Sequence, residues 1–204
     1  MYYIVKVVVY IAFHIVFNVR FEGRSNIPKG ETVIYASNHR SNADPPLIGC
    51  SAKGKFAFMA KEELFKNKFF AWLIRSLGAF PVSRGKGDTG VLDTAVERLE
   101  NGRSLIIFPE GTRSKDGKVH RGHSGAAVIS ARSHKRIVPV GVIFGEKLKF
   151  RTKVTVKYGE PINPADYIDN FNEPNPRQLV KLKNRYMEEI KRLVEGEERN
   201  QEDE

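Results

Sequence analysis

The sequence predicts a single α/β domain with a central mixed β-sheet flanked by helices, plus an N-terminal apolar segment. Three observations carry that expectation. From Thr32 onward, short apolar runs alternate with amphipathic stretches, the pattern of strands interleaved with helices. At 204 residues, 41% hydrophobic and 28% charged, the chain can bury one core without staples. Its composition is unlike that of a disordered, collagen-like or polytopic membrane chain. Third, the first twenty residues, MYYIVKVVVYIAFHIVFNVR, are apolar nearly throughout.

That opening segment lacks the basic start and the small-residue cleavage site of a secretory signal. A helix needs about 20 apolar residues to cross a hydrocarbon core of roughly 30 Å. This run is at the lower limit and is interrupted by Lys6, His14 and Asn18, so a membrane-associating helix lying in the lipid boundary is expected. Tyr2, Tyr3, Tyr10, Lys6 and Arg20 suit the headgroup level. The competing reading, favoured by the many Val and Ile residues, is a buried strand or helix of the core.

Strands are expected at 32–37, 56–59, 79–82, 104–108, 137–143 and 153–158. The spacing of Val91, Leu92, Ala95, Val96 and Leu99 predicts a helix over 88–101, capped by Asp88 and stopped by Gly102. A second helix over 176–194 places Leu179, Leu182, Tyr186, Ile190 and Leu193 on one face.

The net charge is +10, and residues 195–204 alone contribute −5, which leaves +15 on the rest. Such a surface attracts phosphate, whether in nucleic acid, lipid headgroups or phosphorylated cofactors. A nucleic-acid reader would interleave aromatics with bases or show a recognisable helical motif; neither is evident, so no nucleic acid is expected as partner. Cys50, the only cysteine, excludes internal disulfides and multi-Cys zinc sites, fits a reducing setting, and reads as core.

Four blocks carry the chemistry. Asn38-His39-Arg40-Ser41-Asn42-Ala43-Asp44-Pro45-Pro46 follows a strand end, where ligands of α/β sheets bind. Asp44 before Pro45 reads either as a helix N-cap or as the partner of a His39 ring nitrogen, which fixes the tautomer and leaves the other nitrogen as a general base. No Gly-x-Ser-x-Gly elbow accompanies this pair, so the nucleophile has to come from the substrate.

Phe108-Pro109-Glu110-Gly111-Thr112-Arg113-Ser114 combines a permissive glycine, hydroxyls and a planar guanidinium suited to phosphate oxygens. Glu110 there either orients Arg113 or accepts from a glycerol hydroxyl. Gly78 to Arg84 is a strand ending at an arginine. In Val138-Pro139-Val140-Gly141-Val142 the proline argues for a strand edge or end. A metal site built from His39, Asp44, His120 and His123 is less favoured than a flexible basic loop, so no metal is expected.

Taken together, the order and spacing of these blocks over residues 30–160 resemble the glycerolipid acyltransferase superfamily, and most closely the bacterial 1-acylglycerol-3-phosphate (lysophosphatidate) acyltransferases. The resemblance implies that His39 is the general base, that Asp44 orients it, and that Arg84, Glu110, Gly111, Thr112 and Arg113 bind the acceptor phosphate. It places Pro139 in packing near the acyl pocket. It implies transfer of a fatty acyl group to the sn-2 hydroxyl of 1-acylglycerol 3-phosphate, giving phosphatidic acid, with acyl-CoA or acyl carrier protein as co-substrate and no cofactor; glycerol 3-phosphate or another lysolipid is the alternative acceptor. The implied setting is the cytoplasmic face of the membrane, peripheral or monotopic. Two features depart from the pattern: the N-terminal apolar segment is shorter than a membrane-binding helical pair, and Gly141 stands where a less permissive residue is expected. The resulting partition is a membrane-associating segment at 1–22, a catalytic domain at 23–195 and an acidic tail at 196–204.

Overall fold

The computed structural model of the chain describes residues 2–52, 54–82 and 89–201. Seven strands form one sheet: β1 (Asn18–Glu22), β2 (Ile34–Ser37), β3 (Lys55–Lys61), β4 (Ala79–Val82), β5 (Arg103–Ile107), β6 (Ile137–Ile143) and β7 (Lys153–Tyr158). The helices are α1 (Tyr2–Val16), α2 (Asp44–Ser51), α3 (Lys68–Ser76), α4 (Thr89–Glu100), α5 (Gly125–Ser133) and α6 (Pro176–Gln201). The spatial order is β1-β7-β6-β2-β5-β3-β4. β6, β2, β5, β3 and β4 run parallel, whereas β7 is antiparallel to β6 and carries β1 parallel to itself. The sheet is therefore mixed, as the sequence predicts.

Alternation along the strands divides the core between the two faces. Tyr35, Ile106 and Val138 join Leu47, Ile48 and Phe56 in a cluster that also receives Ile74 and Leu77 and is lined by α1, α2 and α3. Ile34, Leu105 and Ile137 join Ile129, Leu182, Tyr186 and Ile190 on the opposite face, beneath α4, α5 and α6. The apolar spacing predicted for the last helix thus faces the core, and the helix continues past 194 to Gln201. Cys50 is buried, and burial pushes its thiol up to about 11.

The N-terminal segment divides its two faces. Tyr2, Val5, Val9 and Phe13 of α1 pack on the first cluster, and the buried Lys6 ammonium donates to the carbonyls of Ala52 and Gly54 beyond the end of α2. Residues 18–22 form an edge strand of the sheet, so the chain expected as an appendage is drawn into the folded unit. The opposite face of α1 exposes Ile4, Val7, Val8, Ile11 and Ile15. Among the described residues, no helix is long and apolar enough to cross a membrane.

One expectation is corrected. Pro139 lies within β6, an interior strand, and not at an edge or end of the sheet. Its missing N–H falls where the antiparallel neighbour changes register, between the Ile137↔Ile162 bridge and the Val140↔Tyr158 pair, while its carbonyl accepts from Gly159 at 2.9 Å. A ladder interruption of this kind accommodates a proline inside a sheet. Gly141, two residues on, is where α6 comes close: a Cβ there would stand 3.0 Å from the Leu193 Cβ and 3.3 Å from a Val194 methyl.

Candidate active site

Because β2 and β5 are adjacent and parallel, with Ala36 opposite Ile107, they deliver the first and third sequence blocks to one edge of the sheet. Asn38 fastens the end of β2 to β6: its side-chain amide donates to the Val142 carbonyl at 2.9 Å and accepts from the Val142 amide at 2.8 Å. From that anchored point the chain turns through His39 and re-enters α2 at Asp44.

The Asp44 side chain is fully buried and does not cap its helix; Ala43 occupies the N-cap, without a side-chain bond. Instead, Oδ2 of Asp44 gathers three donors: Nδ1 of His39 at 2.8 Å and the main-chain amides of Arg40 and Ser41 at 2.7 Å each. Among the described residues, Oδ1 has no hydrogen-bond partner. Convergence of donors offsets the cost of burying a carboxylate. Since a carboxylate oxygen accepts, Nδ1 carries the proton and Nε2 keeps its lone pair. The His39 ring stacks on Phe108, with centroids 4.0 Å apart and planes inclined by 21°, and its side chain is 14% exposed.

The third block reaches the same place through Glu110, which is 7% exposed. Its Oε1 accepts the His39 amide at 3.1 Å and its Oε2 accepts the His120 amide at 3.0 Å. Burial pushes its carboxyl above the ordinary range, opposed by those two amides. The carboxylate thereby binds two loops together; the structure pairs it with main chain and not with Arg113. A further bond, from the Ser114 amide to the His39 carbonyl at 2.7 Å, closes the loop from its other end.

Gly111 sits at φ +70°, which suits a residue without a Cβ, and its amide returns to the Phe108 carbonyl at 3.0 Å. The turn so formed projects Thr112 and Arg113 to the surface, and among the described residues the Arg113 side chain has no hydrogen-bond or ion-pair partner. Arg84 lies outside the described residues; β4 ends at Val82, on the same edge of the parallel strands.

His120 and His123 do not join His39 in a ligand set. The His120 ring bonds the Asp116 carboxylate at 2.8 Å, and together with the Ser114 hydroxyl, the stronger influence, it holds that carboxyl down at about 2. No three His, Cys, Asp or Glu side chains converge as metal ligands among the described residues. Two contributors escaped the sequence reading. Phe108 supplies the wall for the imidazole. Arg40 lies over the Phe144 ring at 4.2 Å and donates to the carbonyls of Phe144 and Gly145, pinning the loop that follows β6. Their roles rest on contacts more than 65 residues away along the chain, which local spacing does not reveal.

The chain resembles known proteins in both sequence and fold. The family model described as Acyltransferase matches residues 18–143. A 1-acyl-sn-glycerol-3-phosphate acyltransferase of Streptococcus pneumoniae is 35% identical over 185 residues, 87% of this chain and 67% of the relative. One from Bacillus subtilis is 28% identical over 180 residues, 86% of this chain and 87% of the relative. The crystal structure of the 1-acyl-sn-glycerophosphate acyltransferase PlsC from Thermotoga maritima superposes with a TM-score of 0.78 at 31% identity, covering 97% of this chain and 79% of that one.

Proposed function

The chain belongs to the acyltransferase family, and from that premise we propose that it moves a fatty acyl group onto the sn-2 hydroxyl of 1-acylglycerol 3-phosphate, yielding phosphatidic acid for phospholipid synthesis. The observation that carries the mechanism is the His39–Asp44 bond of 2.8 Å at the sheet edge, with the Gly111–Arg113 turn beside it. The names of its relatives support the choice of acceptor.

In this reading, Nε2 of His39 takes the proton of the hydroxyl as its oxygen attacks the thioester carbonyl. A free alcohol is a poor nucleophile near neutral pH, and a positioned base contributes about 10²- to 10⁴-fold. Asp44 stabilises the imidazolium that forms, and the proton then passes to the departing thiolate as the tetrahedral intermediate collapses. Acyl transfer is direct, with no covalent enzyme intermediate. Arg113, with Thr112 and the Gly111 turn, grips the acceptor phosphate and so holds the hydroxyl in position; Arg84 is assigned to the same clamp. Glu110 acts as a positioning residue, keeping the two loops in register. The donor is acyl-CoA or acyl carrier protein, and no further cofactor is called for.

Access to a lipid acceptor needs a membrane surface, and a peripheral mode of attachment is supported by the exposed apolar stripe of α1, Ile4, Val7, Val8, Ile11 and Ile15. Phe69 and Trp72 of α3 are exposed too, and α3 packs on the same face of the sheet as α1. We assign attachment to this face and place the enzyme on the cytoplasmic side. The deciding experiment offers a panel of lysolipids and glycerol 3-phosphate with both donors and identifies the products by mass. Phosphatidic acid from 1-acylglycerol 3-phosphate supports the reading; acylation of glycerol 3-phosphate alone overturns it.

A further inference from the structure

We propose that the groove between the 119–122 loop and α6 receives the anionic head of a phosphopantetheinyl thioester, the donor of the acyl group. The groove has a volume of about 450 Å³, within the usual range for small-ligand sites. Val119 and Met187 give it an apolar lining, flanked by Arg121 and Lys183 and by Lys191, whose ammonium lies 3.5 Å from the Glu195 carboxylate; Glu188 is the one acid in the lining. Lys183 and Lys191 stand two turns apart on α6, about 12 Å along its axis. That interval is too long for one phosphate, and Lys191 already faces Glu195, so Arg121 and Lys183 carry the contact with the anionic head.

Position ties the groove to the chemistry. His120 lines it, and the His120 amide shares the Glu110 carboxylate with the His39 amide. Two amides bridged by one carboxylate lie at most about 8 Å apart, so the groove's loop adjoins the loop that carries the proposed base. The contact is also built: a Cβ at Gly122 would stand 2.5 Å from the Met187 sulfur and 3.1 Å from the Pro109 Cβ, so the groove's loop is pressed between α6 and the active-site turn. An acceptor phosphate sits only a few bonds from its reacting hydroxyl and belongs at the Gly111–Arg113 turn. A thioester carries its phosphate a whole arm away from its carbonyl, so its head binds outside the Gly111–Arg113 turn.

This inference rests on the acyl-transfer reading above. Its test is the double charge reversal Arg121→Glu with Lys183→Glu, with Arg121→Gln and Lys183→Gln as milder variants should the reversal unfold. Binding of CoA and of holo acyl carrier protein is measured by calorimetry, independently of turnover, alongside the KM for acyl-CoA, acyl carrier protein thioester and lysolipid. The expected result is donor binding weakened about tenfold, the donor KM raised in proportion and the acceptor KM unchanged. Competition by 3′,5′-ADP identifies CoA as the source of the head; its failure to compete, with carrier-protein binding weakened by the reversal, identifies the protein. Donor binding that survives the reversal, or a rise in acceptor KM instead, overturns the groove assignment while leaving acyl transfer intact. Wild-type protein that transfers nothing from either donor overturns both.

Discussion

Oε1 of Glu110 accepts the main-chain amide of His39 at 3.1 Å, so the loop that carries the proposed base is held by the loop that carries the proposed phosphate clamp. With Oε2 on the His120 amide, one carboxylate satisfies two main-chain donors.

Glu110→Ala leaves both amides unpaired, at an expected cost of about 2 to 4 kcal/mol. Thermal unfolding should fall by roughly 5 to 15 °C for a chain of this size, and kcat should drop more than either KM rises. The pH dependence has a definite sign. Burial raises this carboxyl in the folded state, so its contribution to stability is present below the ordinary glutamate range and is lost as pH rises through the raised value. Urea unfolding of wild type and Glu110→Gln across that range should show the wild type losing ground to the variant as pH increases.

His39→Ala should reduce turnover about 10²- to 10⁴-fold with circular dichroism unchanged, because the ring stacks at a loop and holds no strand in place. Asp44→Asn keeps the volume but presents an amide where three donors converge. Turnover should fall on the order of 10³-fold, with a loss of thermal stability that His39→Ala does not share. Full activity in either variant removes that residue from the mechanism.

Arg113→Ala should raise the KM for a phosphorylated acceptor about tenfold or more and leave that for an uncharged analogue nearly unaltered. Equal effects on the two acceptors would remove the guanidinium from headgroup binding. The exposed position of Arg113 predicts little change in melting temperature.

Gly141→Ala inserts a methyl 3.0 Å from the Leu193 Cβ, between β6 and α6. The helix has to move, at about 1 to 3 kcal/mol, and denaturant unfolding should report it. A neutral outcome would mean that α6 yields freely at this contact.

Replacing Ile4, Val8 and Ile11 by serine should release the protein from sedimented anionic liposomes while the melting temperature holds, since these side chains face away from the core. Deleting residues 1–20 is a poorer test. It removes most of β1 and exposes the surface that Val5, Val9 and Phe13 cover, so loss of binding and loss of fold would coincide.

Much of this was readable before any coordinates. The limits of β4, β6 and β7 match those expected from sequence, because strands buried in a sheet appear as compact apolar runs. The His39–Asp44 pair was legible because both partners lie in one short loop. β1 was not: Asn18, Arg20 and Glu22 break the apolar pattern, and only pairing with Lys153–Lys157 makes the segment a strand. α1 hid its orientation because both of its faces are apolar. The Glu110 contacts escaped notice because their partners are main-chain amides, which every residue possesses and no motif can mark. The Asp44 cap failed for the opposite reason: the loop before it offered three donors, more than the helix end could.

The imidazole of His39 is confined twice over, at Nδ1 by Asp44 and across its plane by Phe108, so it has almost no freedom to swivel. Its remaining lone pair therefore looks in one direction only. A hydroxyl acceptor therefore has to arrive along that line, so a change that frees the ring costs alignment even where basicity is kept.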